Sequence, residues 1–194
     1  MILLIDLCFK PGSLSRYEFV YPIADALSCA GAQYQILHFT GLDGMGTEEY
    51  AKQLDRSYNG IILCGTALKD NAYVNQMDLF SWIKCCWNVP MLGICAGMQV
   101  ISAVFGGKII PQPVIGLEEI DITLETPLLG SPRKIEGYHL HNFGVTSPEG
   151  FQVIAESQGC IAAFKHRQMP IYGIAFHPEV RNKWILERFA LSKN

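Results

Sequence analysis

The sequence predicts an α/β fold in which a mostly parallel sheet is covered by helices on both faces and a region of β-hairpins is added to it. Three observations carry this prediction. Up to Gly107, short apolar runs alternate with helix-period segments, the pattern of strands joined by helical crossovers. Beyond Gly107, seven short apolar or alternating runs follow one another with only turn residues between them. Between the two textures, Val89 to Gly107 reads as a buried strand, a glycine-flanked turn and a buried helix.

In chain order, Ile2 to Leu7 is a buried first strand; it carries Asp6, lacks a basic lead-in and is too short to span a bilayer. Tyr17 to Ala30 is a helix with Gly31 just past its end, and Pro22 either starts its regular part or kinks it. Tyr34 to Phe39 is a second strand. Thr47 to Arg56 is a short helix with Thr47 as its cap and Glu48 and Glu49 in the first turn, and Gly60 to Cys64 is a third strand. Asn71 caps a helix from Tyr73 to Cys86, whose residues Val74, Met77, Phe80, Trp82 and Ile83 form an apolar stripe, and Asn88-Val89-Pro90 ends it. A strand ending at Leu92 and a helix from Ala96 to Phe105 follow. The short strands then expected are Lys108–Pro111, Glu118–Thr123, Arg133–Tyr138, Phe143–Val145, Phe151–Ala155, Ile161–Lys165 and Ile171–Phe176, with turns at Ser147-Pro148-Glu149-Gly150 and Ser157-Gln158-Gly159. Lys183 to Leu191 closes the fold as a helix. No repeat, low-complexity tract or linker divides the chain, so residues 1–194 are expected to form a single domain.

Composition narrows the function classes. A formal net charge of −3 with scattered Lys and Arg gives no basic footprint, which argues against a nucleic-acid partner. Nothing in the chain suggests a membrane span. The seven cysteines, Cys8, Cys29, Cys64, Cys85, Cys86, Cys95 and Cys160, are an odd count without a C-x-x-C pair, which argues against a disulfide framework and a structural zinc site. A soluble, cytoplasmic protein in a reducing compartment is expected.

The chemistry concentrates at Gly93-Ile94-Cys95-Ala96-Gly97. This is the nucleophile-elbow pattern G-x-S-x-G with cysteine in the serine position. Its glycines permit a sharp turn and close strand–helix packing, and a thiol at a helix N-terminus feels the positive end of the helix dipole, which favours the thiolate. The alternative is a small buried apolar residue, the usual fate of a free cysteine.

A thiol nucleophile needs a base, and the base needs a third group that fixes its tautomer. Of the five histidines, His38 lies among apolar strand residues and reads as structural, while His166 in Lys165-His166-Arg167 reads as solvated. His177 ends an apolar run that reads as a central strand, which places it on the same rim as Cys95. Glu179, two residues on in an extended segment, reaches the imidazole from behind. A surface histidine beside a solvated glutamate is the competing reading. His139 and His141, at i and i+2 on a strand, lack an evident third metal ligand, so no metal is expected.

Pro90-Met91-Leu92-Gly93-Ile94-Cys95-Ala96-Gly97-Met98-Gln99 and Phe176-His177-Pro178-Glu179 together resemble the class I, triad-type glutamine amidotransferases, over essentially the whole chain. The stretch from Thr146 to Val180 is particularly similar to glutaminase subunits of the GMP synthase group. The resemblance implies a flavodoxin-like three-layer fold with an added β-hairpin region and hydrolysis of L-glutamine to glutamate and ammonia without a cofactor. Cys95 would form the γ-glutamyl thioester, His177 would act as base and then acid, and Glu179 would orient it. The oxyanion hole would use backbone N–H groups of Ala96 and of the loop at Gly65 and Thr66. Gln99 would bind substrate or serve as a buried structural amide, and Leu140, His141 and Asn142 would line the glutamine pocket.

The departures from the family pattern bear on function. The loop usually reading S-G-G-P is Cys64-Gly65-Thr66-Ala67, with a β-branched residue where glycine permits unusual dihedrals. Ala175 replaces the usual Gln before F-H-P-E, Asn142-Phe143 replaces Gly-Asp, and Arg181-Asn182-Lys183-Trp184 runs straight into the last helix. No P-loop or other motif for using ammonia is present, so a synthetase or synthase partner that accepts it is expected. A stand-alone γ-glutamyl hydrolase and a non-catalytic interaction protein are the alternatives.

Overall fold

The structure, a computed structural model, describes residues 1–42 and 47–191. Among these, nine strands form one sheet: β1 (Ile2–Asp6), β2 (Tyr34–His38), β3 (Gly60–Leu63), β4 (Met91–Ile94), β5 (Ile109–Ile122), β6 (Arg133–Val145), β7 (Phe151–Ser157), β8 (Cys160–His166) and β9 (Ile171–Ile174). Their order is β2-β1-β3-β4-β9-β8-β7-β5-β6. The first five in that order are mutually parallel, and β8, β7, β5 and β6 continue the sheet antiparallel. The hairpin region is therefore an extension of the same sheet.

The central strands are apolar throughout because both faces are covered. Alternate residues of β1 divide between two cores. Ile2 and Leu4 pack with Ile23, Ala24 and Leu27 of α2 (Tyr21–Cys29) and with Ile185, Leu186 and Phe189 of α5 (Trp184–Leu191). Leu3 and Ile5 pack on the other face with Tyr50, Ala51 and Leu54 of α3 (Thr47–Ser57) and with Val100 and Ile101 of α4 (Ala96–Val104). This period-two division builds the three layers. The cap expected of Thr47 rests on a side chain outside the described residues.

Three expectations need correction. The helix drawn from Tyr17 to Ala30 is two helices, α1 (Arg16–Phe19) and α2, which meet at Val20, so Pro22 starts the regular part. The helix drawn from Tyr73 to Cys86 is a 3-10 segment, Ala72–Cys85, broken at Gln76, and the Asn71 side chain makes no capping bond. Its buried residues are Tyr73, Phe80, Trp82 and Ile83. The seven strands expected after Gly107 are five, because Lys108–Pro111 and Glu118–Thr123 mostly fall on β5 and Arg133–Tyr138 and Phe143–Val145 on β6. A bulge between Pro111 and Val114 lets β5 run past the two prolines that hid its continuity. The turn at Ser157-Gln158-Gly159 is a two-residue hairpin, with φ of 49° at Gln158 and 75° at Gly159, values that favour a primed turn.

The strand–turn–helix at β4 and α4 requires its glycines. A Cβ on Gly97 would lie 2.2 Å from the Leu63 carbonyl oxygen, and one on Gly93 would lie 2.5 Å from the Gly97 backbone. Only bare backbone lets α4 sit this close to β3 and β4.

Candidate active site

Cys95 stands between β4 and α4 with φ 51° and ψ −103°, a backbone strained for any residue with a side chain. Its N–H donates to the Ile174 carbonyl at the end of β9 (2.8 Å), so the turn is pinned to the neighbouring strand that leads to His177. The segment after β9 is held in turn by the His177 N–H, which donates to Tyr138 O on β6 (2.8 Å). Both residues thus lie beyond the carboxyl ends of adjacent parallel strands, where open α/β sheets place their ligands.

His177 is 1% exposed and its Nδ1 donates to Glu179 Oε1 at 2.7 Å. The link runs around a turn, since the Val180 and Arg181 N–H groups both donate to His177 O (3.3 Å), rather than along the extended segment expected. Burial alone would push the imidazole down. The negative charges of Glu179 and Cys95 and the hydrogen bonds outweigh it and hold His177 well above its ordinary value. His177 Nε2 makes no hydrogen bond of normal geometry among the described residues, yet the Cys95 sulfur lies close enough to help raise it, as is common in unliganded sites. The Sγ instead makes a long 3.7 Å contact to Leu140 O. The Phe19 ring packs 5.5 Å from the imidazole.

The space in front of Cys95 is narrow. A cavity lined by Thr66, Asp70, Tyr73, Gln99, Leu140 and Asn142 holds about 20 Å³, room for little more than one water. Gln99 is engaged at both ends: its Oε1 accepts from the Tyr73 hydroxyl (2.6 Å) and its Nε2 donates to Phe143 O (3.0 Å). Asn142 Nδ2 donates to Leu68 O across the cavity (3.3 Å). Thr66 is buried, and the first N–H groups of α4, including that of Ala96, have no intrahelical partner. A larger cavity of about 320 Å³ lies near Pro90 and Pro170, at the opposite ends of β4 and β9 and away from Cys95.

The glutamine amidotransferase class-I family model matches residues 16–185. This chain belongs to the class I glutamine amidotransferase family. Among curated relatives of this amidotransferase, a glutamine-hydrolysing GMP synthase subunit from Pyrococcus abyssi is 44% identical over 127 residues, 63% of this chain and 66% of the relative. The corresponding subunit of Thermococcus kodakarensis is 43% identical over 48% of this chain and 53% of its own length. A GMP synthase of Streptococcus pyogenes is 37% identical over 69% of this chain, but the match spans only 28% of that longer protein. In structure, a Thermoplasma acidophilum protein described as a candidate GMP synthase subunit matches with a TM-score of 0.78 over 97% of this chain and 91% of its own, at 24% identity. A Thermotoga maritima glutamine amidotransferase matches at 0.66 over 95% of this chain and 80% of its own, at 18% identity. At these identities the two structures show the shared amidotransferase fold.

Two further histidines lie beside the site: His141 lines the cavity at Cys95, and His139 sits next to it. His141 Nδ1 donates to Gln112 O (3.0 Å), which leaves its Nε2 to accept from His139 Nδ1 (3.1 Å). The chain ends at His139 Nε2, a buried lone pair without a partner among the described residues. Burial, with His141 and His177 adding to it, pushes His139 down to about 4. Burial also lowers His141, partly offset by its bond to Gln112. Both are therefore neutral at pH 7, and no group of three or more metal-ligating side chains occurs among the described residues. A histidine lowered on folding contributes stability that is present above its unfolded value near 6.5 and is lost as pH falls toward 4. The melting temperature should therefore drop from pH 6.5 to pH 4, and less steeply in His139→Phe; parallel profiles by circular dichroism would remove His139 from this role.

His38 is structural as expected, with Nε2 at 2.8 Å from Cys8 O. His166 is not solvated: it is 8% exposed, its Nδ1 accepts from the Gln168 and Met169 N–H groups, and its ring packs on Phe105 and Phe151. The charged neighbours point outward while the alternating strand turns the imidazole inward. Sequence reasoning missed Asp70, Tyr73, Leu68 and Phe143 as cavity walls. The bonds of Tyr73, Leu68 and Phe143 to Gln99 and Asn142 join residues 26 to 74 apart, and Asp70 reaches Phe9 61 residues away, so no local pattern marks them as cavity walls.

Proposed function

We propose that this chain hydrolyses the side-chain amide of L-glutamine and passes ammonia to a synthetase partner of the GMP synthase kind, working as a single cytoplasmic glutaminase domain. The observation that carries the reading is a strained thiol at the start of α4, beside a buried histidine that is tied to a buried glutamate at 2.7 Å and has a free Nε2. With the thiol proton already held on His177 Nε2, Sγ bonds to the amide carbon as the carbonyl electron pair moves onto oxygen. The N–H groups of Ala96 and Thr66 receive the oxyanion. Collapse breaks the C–N bond, the Nε2 proton goes to the leaving nitrogen, and ammonia departs from a γ-glutamyl thioester. Water then gives a proton to Nε2 and its oxygen to the carbonyl carbon; the C–S bond breaks, the sulfur leaves as thiolate beside the protonated His177 and glutamate departs.

The family membership, the GMP synthase subunits among the relatives and the free thiols support this reading. The tight cavity supports dependence on a partner, since glutamine enters only if the walls move. The test is a glutaminase assay with and without a candidate synthetase and its nucleotide substrate, followed by peptide mapping after treatment with a diazoketone analogue of glutamine. Stimulation by the partner and labelling confined to Cys95 are expected. Cys64 and Cys8 are buried with thiols pushed up by burial, Cys86 is pushed up to about 12 by burial, and exposed Cys29 lacks a glutamine pocket. Labelling of Cys64 or Cys85 instead would sink the assignment, and high activity on γ-glutamyl peptides with little on glutamine would favour a γ-glutamyl hydrolase.

A further inference from the structure

The loop after β3 carries a feature that the proposed chemistry does not by itself require. Asp70 lines the same small cavity as Cys95. A carboxylate is unfavourable beside a developing thiolate and oxyanion, because like charges repel. Its placement calls for a compensating role, and its bonds supply one. Asp70 Oδ2 accepts from the Thr66 hydroxyl (3.1 Å) and from the Phe9 N–H on the loop after β1 (3.2 Å). The Asp70 N–H donates to Ala67 O (2.8 Å), which closes residues 67–70 into a turn.

We propose that Asp70 is a positioning residue for glutamine hydrolysis: one carboxylate oxygen anchors the Thr66 side chain to the β1–α1 loop and so aims the Thr66 backbone N–H at the oxyanion beside Cys95. Thr66 suits this role because it is β-branched. With χ1 confined to few rotamers, fixing its hydroxyl also fixes its backbone, which an anchored serine does less well and glycine not at all. The Thr66 N–H has no acceptor among the described residues and remains available. Threonine at this position, with an acidic partner four residues on, thus replaces conformational freedom with an anchored donor. An oxyanion donor must already point at the developing charge to lower the barrier, so a loose loop loses rate rather than substrate affinity.

This inference rests on the glutamine-hydrolysis reading, and the experiment separates the two. The wild type and the variants Asp70→Ala, Asp70→Asn, Thr66→Val, Thr66→Ser and the double variant Asp70→Ala/Thr66→Val are compared. Two readouts are taken: kcat and KM for glutamine, and the rate of Cys95 labelling by the diazoketone analogue. Asp70→Ala and Thr66→Val should each lower kcat about 10- to 100-fold, part of the 10²–10³-fold loss typical of removing a donor outright. KM should stay within about threefold, and the double variant should be no worse than the poorer single one, because both cut the same anchor. Asp70→Asn and Thr66→Ser, which keep an acceptor and a hydroxyl, should retain most of the rate. A raised KM at unchanged kcat would make Asp70 a substrate contact and overturn the proposal; so would multiplicative losses or unaltered kcat in both single variants. A wild type that neither hydrolyses glutamine nor takes the label, with or without partner, would sink the underlying reading and this proposal with it.

Discussion

Replacing Cys95 by alanine is expected to reduce glutamine hydrolysis by about six orders of magnitude while leaving the fold intact, the loss typical of removing a nucleophile from a cooperating triad. No other thiol can substitute. Cys64 and Cys8 are fully buried, and Cys95 lines the small cavity with Gln99 and Leu140. The same position stores strain, since a φ of 51° with ψ −103° lies outside the regions open to a residue with a Cβ. Alanine keeps that strain and glycine relieves it. Cys95→Gly should therefore be as inactive as Cys95→Ala yet more stable than the wild type by about 1 kcal/mol, of the order such strained residues cost. Steady-state kinetics and thermal unfolding on the three proteins check both limbs; a residual rate above about a thousandth in Cys95→Ala would remove Cys95 from the nucleophile's role.

His177→Ala should be nearly as damaging in rate, by about 10⁶-fold, and Glu179→Gln less so, by about 10⁴-fold, because orientation and charge are lost but the proton carrier remains. The pH profiles should differ in a direction the structure dictates. Burial opposes the charged imidazole, and Glu179 is the largest influence holding it above its ordinary 6.5. Glutamine in its place leaves burial less opposed, so His177 loses its proton at lower pH. The alkaline limb of kcat should then move toward neutrality in Glu179→Gln. Stability should follow the same sign. A histidine raised on folding contributes stability that is complete below 6.5 and fades as pH climbs through its raised value, so the wild type, but not Glu179→Gln, should lose this contribution on the alkaline side. Identical pH profiles, or equal loss of glutamine binding and rate in both variants, would make the pair structural.

The central layer was legible in the sequence because burial on both faces writes itself as apolar runs, and Gly93-Ile94-Cys95-Ala96-Gly97 marks its own turn through sterics that a Cβ would violate. Phe176-His177-Pro178-Glu179 was legible for a related reason, since the histidine–glutamate link closes within three residues. What stayed hidden is what depends on distant partners. The continuity of β5 past Pro111 and Pro113 is set by pairing with β6, and the inward turn of His166 by the rings of Phe105 and Phe151. The 3-10 winding of Ala72–Cys85 reflects packing against α3 and α4 that outweighs helix propensity. The Tyr73–Gln99 and Asn142–Leu68 bonds that narrow the cavity join segments with no shared pattern.

The insertion of β9 between β4 and β8 has a consequence for the order in which the protein matures. The Cys95 N–H is secured by Ile174 O and His177 follows three residues later, so Cys95 and His177 come together only once synthesis has passed that point. On the ribosome, β1 to β4 and their helices emerge first and can collapse locally, whereas the slot beside β4 stays open until a strand from far along the chain arrives. A nascent or prematurely terminated chain that ends before Ile171 therefore carries Cys95 without the His177 that the proposed mechanism pairs with it. On the proposed reading, chains still in synthesis, or fragments left by failed synthesis, would leave the cellular glutamine pool untouched.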